Sequence, residues 1–136
     1  MVSFMRIAVI DHNFEENYAP HIAYLEKIIF PKLLTYQSID QICVSGTFAD
    51  FSNKYGPFAK FDALLFHPGL KRPDSSEIPK FRELERTHPF LKLALVSIGL
   101  SYPPNNNEQG IPFFDYENTR DITDYILFGI LRDRES

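Results

Sequence analysis

Apolar residues along this chain fall into short continuous runs separated by segments of helical spacing. Four runs suit β-strands, Arg6–Ile10, Gln41–Val44, Phe61–Phe66 and Leu91–Ser97, and a shorter fifth follows at Ile111–Phe114. The first, third and fourth are hydrophobic throughout instead of alternating, as in parallel strands covered on both faces. Residues 15–36 place Tyr18, Ile22, Leu25, Ile28 and Ile29 on a helical repeat. Pro20 suits a first turn of that helix, and Pro31 should end or kink it. Further helices are predicted over 48–55, with Phe48, Phe51 and Tyr55 on one face, and over 77–87, with Ile78, Phe81 and Leu84 inward. A last helix is predicted over 119–133, capped by Thr119 and with Asp121 near its positive end.

The order is β-α-β-α-β-α-β-(loop)-β-α. Regular alternation of this kind makes a parallel sheet with helices on both sides. The prediction is a single α/β domain over residues 1–136, a doubly wound five-stranded parallel sheet in the order 2-1-3-4-5, with its fourth crossover largely loop. That crossover, "GLSYPPNNNEQG" at 99–110, is too rich in proline, asparagine and glycine to hold a helix. Residues 1–4 precede "MRIAVID" and are expected to be a poorly ordered extension.

Composition narrows the function. Fourteen basic against eighteen acidic side chains give a net charge of −4, which disfavours nucleic acid as a partner. No apolar run approaches the roughly 18 residues of a membrane span, and the N-terminus lacks the pattern of a secretory signal. The single cysteine, Cys43, lies in the apolar patch Ile42–Val44 and reads as a buried core residue. A lone thiol fits a reducing compartment, so a cytoplasmic location is expected.

Candidate chemistry gathers at the strand ends, where this architecture keeps its ligand crevice. "MRIAVIDHN" (5–13) ends its strand at Asp11 and His12, and "FDALLFHPG" (61–69) ends at His67 before a Pro-Gly turn. Three readings are open for these three side chains, one of them His67 as a histidine phosphoacceptor. An imidazole–carboxylate set suits a transition metal better than Mg²⁺. Alternatively, His67 bonds backbone or Asp11 and simply fills the space. His21 and His88 read as surface or capping residues. Ser97 has no Gly-x-Ser-x-Gly elbow around it and reads as structural.

With five strands in this order, the chain resembles a response-regulator receiver domain over nearly its whole length. "MRIAVIDHN" is similar to the first receiver strand, which ends in two metal-holding acids. "FDALLFH" resembles the third, which ends in the phosphate-accepting aspartate. "LKLALVS" (91–97) resembles the fourth, which ends in a Ser or Thr that bonds the phosphoryl group, and "GIPFFDY" (110–116) the fifth, which ends in a lysine. Matched position by position, Asp11 keeps one acid, but His12 stands where the second belongs. His67 occupies the acceptor position and Ser97 keeps the hydroxyl. Phe114 and Asp115 stand where the lysine would be.

Aspartyl phosphorylation needs Mg²⁺ and a fixed cation to neutralise the transferred charge. Asp11, His12, His67, Ser97 and Asp115 therefore outline a degenerate receiver pocket. The resemblance implies a non-phosphorylatable pseudo-receiver: a non-enzymatic, regulatory protein-interaction module in signal transduction, with no cofactor. The alternative is a small α/β enzyme or metal-binding protein using Asp11, His12 and His67. Class I glutamine amidotransferases share some strand similarity, but the cysteine elbow they need is "LVSIGL" here. A flavodoxin-like flavin site would need a phosphate loop where "DHNFEEN" offers acids. In the last helix, Ile122, Ile126, Gly129 and Ile130 should face the sheet. Tyr125, Phe128 and Leu131 form a candidate surface for a protein partner or a homodimer, through the last strand and helix. The tail, 132–136, is expected to be solvated and frayed.

Overall fold

The computed structural model describes residues 5–67, 77–98 and 111–135. The expected N-terminal extension, the turn after His67 and the loop at 99–110 lie outside the described residues. Five strands form one parallel sheet: β1 (Met5–Asp11), β2 (Ile39–Ser45), β3 (Ala63–His67), β4 (Lys92–Ser97) and β5 (Phe113–Asp115). Their spatial order is β2-β1-β3-β4-β5, all pairs parallel. This is the doubly wound order that the apolar runs predict.

Both faces of the sheet are covered, which is why its strands show no polar alternation. One core contains Ile7, Val9, Leu65 and Val96 with Leu25, Ile29, Leu33, Tyr116, Ile122 and Ile126. The opposite core contains Ala8, Ile10, Leu64, Phe66 and Leu95 with Phe48, Phe51, Phe58, Phe81 and Leu84. The second is dominated by aromatics, with Phe51 stacked on Phe58 at 4.9 Å between centroids and Phe66 on Phe81 at 4.7 Å. Cys43 is buried here as a free thiol, and burial pushes its pKa up. It is an inert core residue.

The first helical segment differs from the single kinked helix that its spacing predicts. It is divided into α1 (His12–Glu15), α2 (Ala19–Tyr24), a π turn (Leu25–Ile29) and α3 (Phe30–Leu33). Asn17, at φ 55°, breaks the chain between α1 and α2, and Pro20 then sits in the first turn of α2. Pro31 has no N–H for a regular helical bond. The chain passes it through the π turn, in which the Phe30 amide bonds Leu25 O, and α3 continues to Leu33. The wider turn directs Leu25, Ile29, Phe30 and Leu33 inward and leaves Ile28 53% exposed.

Helix α4 (Phe48–Tyr55) is capped by Thr47, whose hydroxyl accepts from the Asp50 amide at 3.1 Å. Helix α5 (Glu77–Thr87) buries Phe81 and Leu84, as its spacing predicts. Helix α6 (Thr119–Glu135) starts one residue after its cap: the Ile122 amide bonds the Asn118 carbonyl, so Thr119 is the first helical residue instead of the cap. The tail is helical as far as Glu135 instead of frayed, because Asp133 is ion-paired with Lys92 of β4. The Lys92 chain crosses α6 directly over Gly129, where a side chain would meet it.

Candidate functional site at the carboxyl edge of the sheet

Strand register places the candidate residues. Asp11 at the end of β1 pairs with His67 at the end of β3, while Ser97 of β4 pairs with Asp115 of β5. Alternation along each strand then separates them. Asp11 and His67 follow the parity of Val9 and Leu65, on the side of α6. Ser97 and Asp115 follow Leu95 and Phe113, on the opposite side. The five positions are therefore not one cluster.

Asp11 is fully buried and its carboxylate is committed. It caps α1, with Oδ1 accepting from the Asn13 amide at 2.8 Å and from Asn13 Nδ2 at 2.9 Å. The other oxygen, Oδ2, accepts from the Tyr116 hydroxyl at 2.7 Å. Because Asn13 donates its Nδ2 to Asp11, its Oδ1 is the acceptor for His21 Nδ1 at 3.1 Å. His21 thus belongs to this network instead of capping a helix or facing solvent alone.

His67 donates Nδ1–H to the Val96 carbonyl at 3.0 Å, which sets its neutral tautomer. Burial pushes its pKa down. The Asp11 charge and the Val96 bond oppose this, and the charges of His12 and His21 add to it. His12 is buried but turned towards its own helix. Nδ1 lies 3.5 Å from Glu15 Oε1, and Nε2 lies 3.0 Å from Glu16 Oε1 without hydrogen-bond direction. Asp11, His12 and His67 are consequently not arranged around a common point. Among the described residues, no group of three or more His, Cys, Asp or Glu side chains is placed to hold a metal ion.

Ser97 is buried at 1% exposure. Asp115 closes the turn into α6, its Oδ1 accepting from the Glu117 amide at 2.9 Å. The residue that the sequence reading missed is Tyr116. Among the described residues it is the largest fully buried side chain, and its amide bonds the Ser97 carbonyl at 2.9 Å. A signal was present, since a tyrosine directly after an apolar strand buries its ring and must find a partner for its hydroxyl. That partner, 105 positions away in sequence, could not be read from spacing.

On α6 the three candidate surface residues differ. Tyr125 packs its ring on Phe114 at 5.7 Å and donates its hydroxyl to the Leu93 carbonyl at 2.8 Å. Burial raises its pKa, with the Arg132 charge opposing. Phe128 and Leu131 are 64% and 43% exposed. No helix among the described residues is long and apolar enough to cross a membrane.

No family model matches the chain, and no curated protein does. Solved structures do. A pilus assembly-related protein from Burkholderia pseudomallei superposes with a TM-score of 0.63 at 17% identity, covering 96% of this chain and 92% of that one. A response-regulator receiver domain protein from Clostridium thermocellum gives 0.57 at 15% identity, covering 96% and 98%. The signal receiver domain of a Vibrio parahaemolyticus repressor protein gives 0.58 at 14%, covering 98% of each. At such identities the likeness is one of fold: the chain has the receiver-type doubly wound sheet, matched along nearly its full length.

Proposed function

We propose that this protein is a pseudo-receiver, a regulatory module that works through protein contacts and is not switched by aspartyl phosphorylation. The carrying observation is the state of Asp11. In a working receiver the corresponding carboxylate would be available to a divalent cation. Here both of its oxygens are occupied, by Asn13 on one side and the Tyr116 hydroxyl on the other. Across the strand pair stands His67, a poor substitute for an acceptor carboxylate, with its Nδ1 proton donated to backbone. Phosphoryl transfer needs preorganised positive charge where negative charge develops. Tyr116 supplies Asp11 with a neutral donor, no lysine stands at Phe114 or Asp115, and hard oxygen ligands for Mg²⁺ are too few.

The receiver-type fold of the structural neighbours supports a signalling role, and one of them is named as pilus assembly-related. Incubation with acetyl phosphate and Mg²⁺, followed by intact-mass measurement, tests the reading. The expected result is no covalent phosphoryl group and no rise in melting temperature with Mg²⁺, since a bound ion would stabilise the fold by mass action. A stoichiometric phosphoryl adduct would overturn it.

A further inference from the structure

Helix α2 stands at the carboxyl edge of the sheet with little apolar anchor. No residue from Glu15 to Tyr24 is buried, whereas His12 and Asn13 before this stretch and Leu25 after it are. Six residues are too few for a helix to persist in water, where packing of an apolar face supplies most of the stability. Within α2 the Tyr24 ring, partly buried, packs against the core. The helix therefore depends on polar ties more than its neighbours do.

Two side-chain hydrogen bonds set its position. His21 Nδ1–H donates to Asn13 Oδ1 at 3.1 Å, and the Tyr24 hydroxyl donates to Glu117 Oε1 at 2.5 Å. The second joins α2 to the turn between β5 and α6, 93 positions away in the chain. This bond pushes the Tyr24 pKa up to about 12, with burial and the charges of Glu117 and Asp115 adding to it. His21 faces the strand ends: its charge acts on His67 of β3, which pairs with Asp11 of β1. In the order 2-1-3-4-5 the crevice between β1 and β3 is the switch point at which this architecture takes ligands. Helix α2 stands at the mouth of that crevice.

Both ends of the segment are built to turn. Asn17, at φ 55°, holds the left-handed backbone that asparagine adopts more readily than most residues. On the other side the π turn is fixed to the core by Leu25 and Ile29. Hinges are commonly a few residues at element ends that absorb changes in φ and ψ. We propose that residues 15–24 form a lid over the β1–β3 crevice, latched by Tyr24–Glu117 and His21–Asn13, which opens as a local unit while the sheet and both cores stay folded. The lid is independent of the pseudo-receiver reading and goes beyond it, because the position of α2 then controls access to Asp11, His12 and His67. Opening breaks two hydrogen bonds and exposes little apolar surface, so it is far easier than global unfolding.

Hydrogen exchange followed by mass spectrometry, with histidine labelling by diethyl pyrocarbonate, tests this on the full chain. The amides of residues 16–24 should exchange roughly a hundredfold or more faster than those of β1 and β3. Their rate should be nearly constant up to about 1 M urea, because local opening exposes little surface. Tyr24→Phe should speed this segment about tenfold and His21→Ala about fivefold, as expected for one hydrogen bond to a charged group and one between neutral groups. His12 and His67 should be labelled at a rate equally insensitive to urea, and Tyr24→Phe should raise it by the same factor as the exchange. Unchanged circular dichroism verifies that both variants fold. A segment protected as strongly as β1 and β3, or with their urea dependence, would overturn the proposal. So would exchange indifferent to both substitutions. Faster exchange without faster labelling of His12 and His67 would mean that α2 frays without uncovering the crevice, and would overturn the lid. None of these results bears on the acetyl phosphate experiment, which tests the pseudo-receiver reading separately.

Discussion

Replacing Tyr116 by phenylalanine removes one oxygen atom and leaves the ring in place. The Tyr116 hydroxyl is the donor to Asp11 Oδ2, and both side chains are fully buried. Hydrogen bonds to charged groups contribute about 1.5–3 kcal/mol. Asn13 continues to serve Oδ1, so the carboxylate is not stripped of all partners. The expected loss is therefore in the lower part of that range, about 2 kcal/mol. For a chain of this length each kcal/mol moves the melting temperature by roughly 3–5 °C, so the variant should melt about 8 °C lower. Urea denaturation should show a midpoint lower by about 1 M with an unchanged slope. A cycle with Asp11→Ala isolates the pair: the two losses should fall short of additivity by about 1–2 kcal/mol. A Tyr116→Phe protein within about 0.5 kcal/mol of the parent would refute the reasoning. It would mean that Oδ2 is satisfied without the hydroxyl.

Two further outcomes follow from the same edge of the sheet. Burial lowers the folded pKa of His67 below the ordinary 6.5, so the unfolded chain binds the proton more readily than the native one. Stability should therefore be complete above about pH 7 and decline as pH falls through 6.5 towards the lower folded value. Urea midpoints measured from pH 8 to 5 should show this fall, and His67→Gln should show a shallower one; equal slopes would exclude His67 as a source. At Gly46 an added Cβ would sit 2.3 Å from the Glu15 backbone nitrogen, closer than atoms can approach. Gly46→Ala should cost about 1–3 kcal/mol by forcing α1 away from the β2–α4 turn. An unchanged urea midpoint for this variant would contradict that close packing.

Much of the fold was legible because burial on both faces leaves a local mark. Val9 and Leu65 fill one core and Ile10 and Phe66 the other, so the strands read as unbroken apolar runs. Boundaries moved by a residue or two, as at Thr119, where the cap is decided by which carbonyl is left to bond. The first helix was less legible. Its prolines were evident, but the π turn that carries the chain past Pro31 depends on packing against the sheet. At the site, Asp11 and His67 were placed correctly at adjacent strand ends. The same reasoning treated Ser97 and Asp115 as their neighbours, although strand parity turns those two to the other face.

What the sequence determined by itself is what repeats along the chain: element type, sheet order and the two covered faces. Periodic burial needs no knowledge of partners. What only the tertiary structure decided is the state of each polar group at the carboxyl edge. By sequence Asp11 reads equally as a metal ligand, a base or a cap, and the structure shows it capping α1 through the Asn13 amide. Tyr116 comes from the far end of the chain to donate to it, and Asn13 closes the other side. A buried carboxylate's chemistry depends on which donors reach it, and those contacts are non-local.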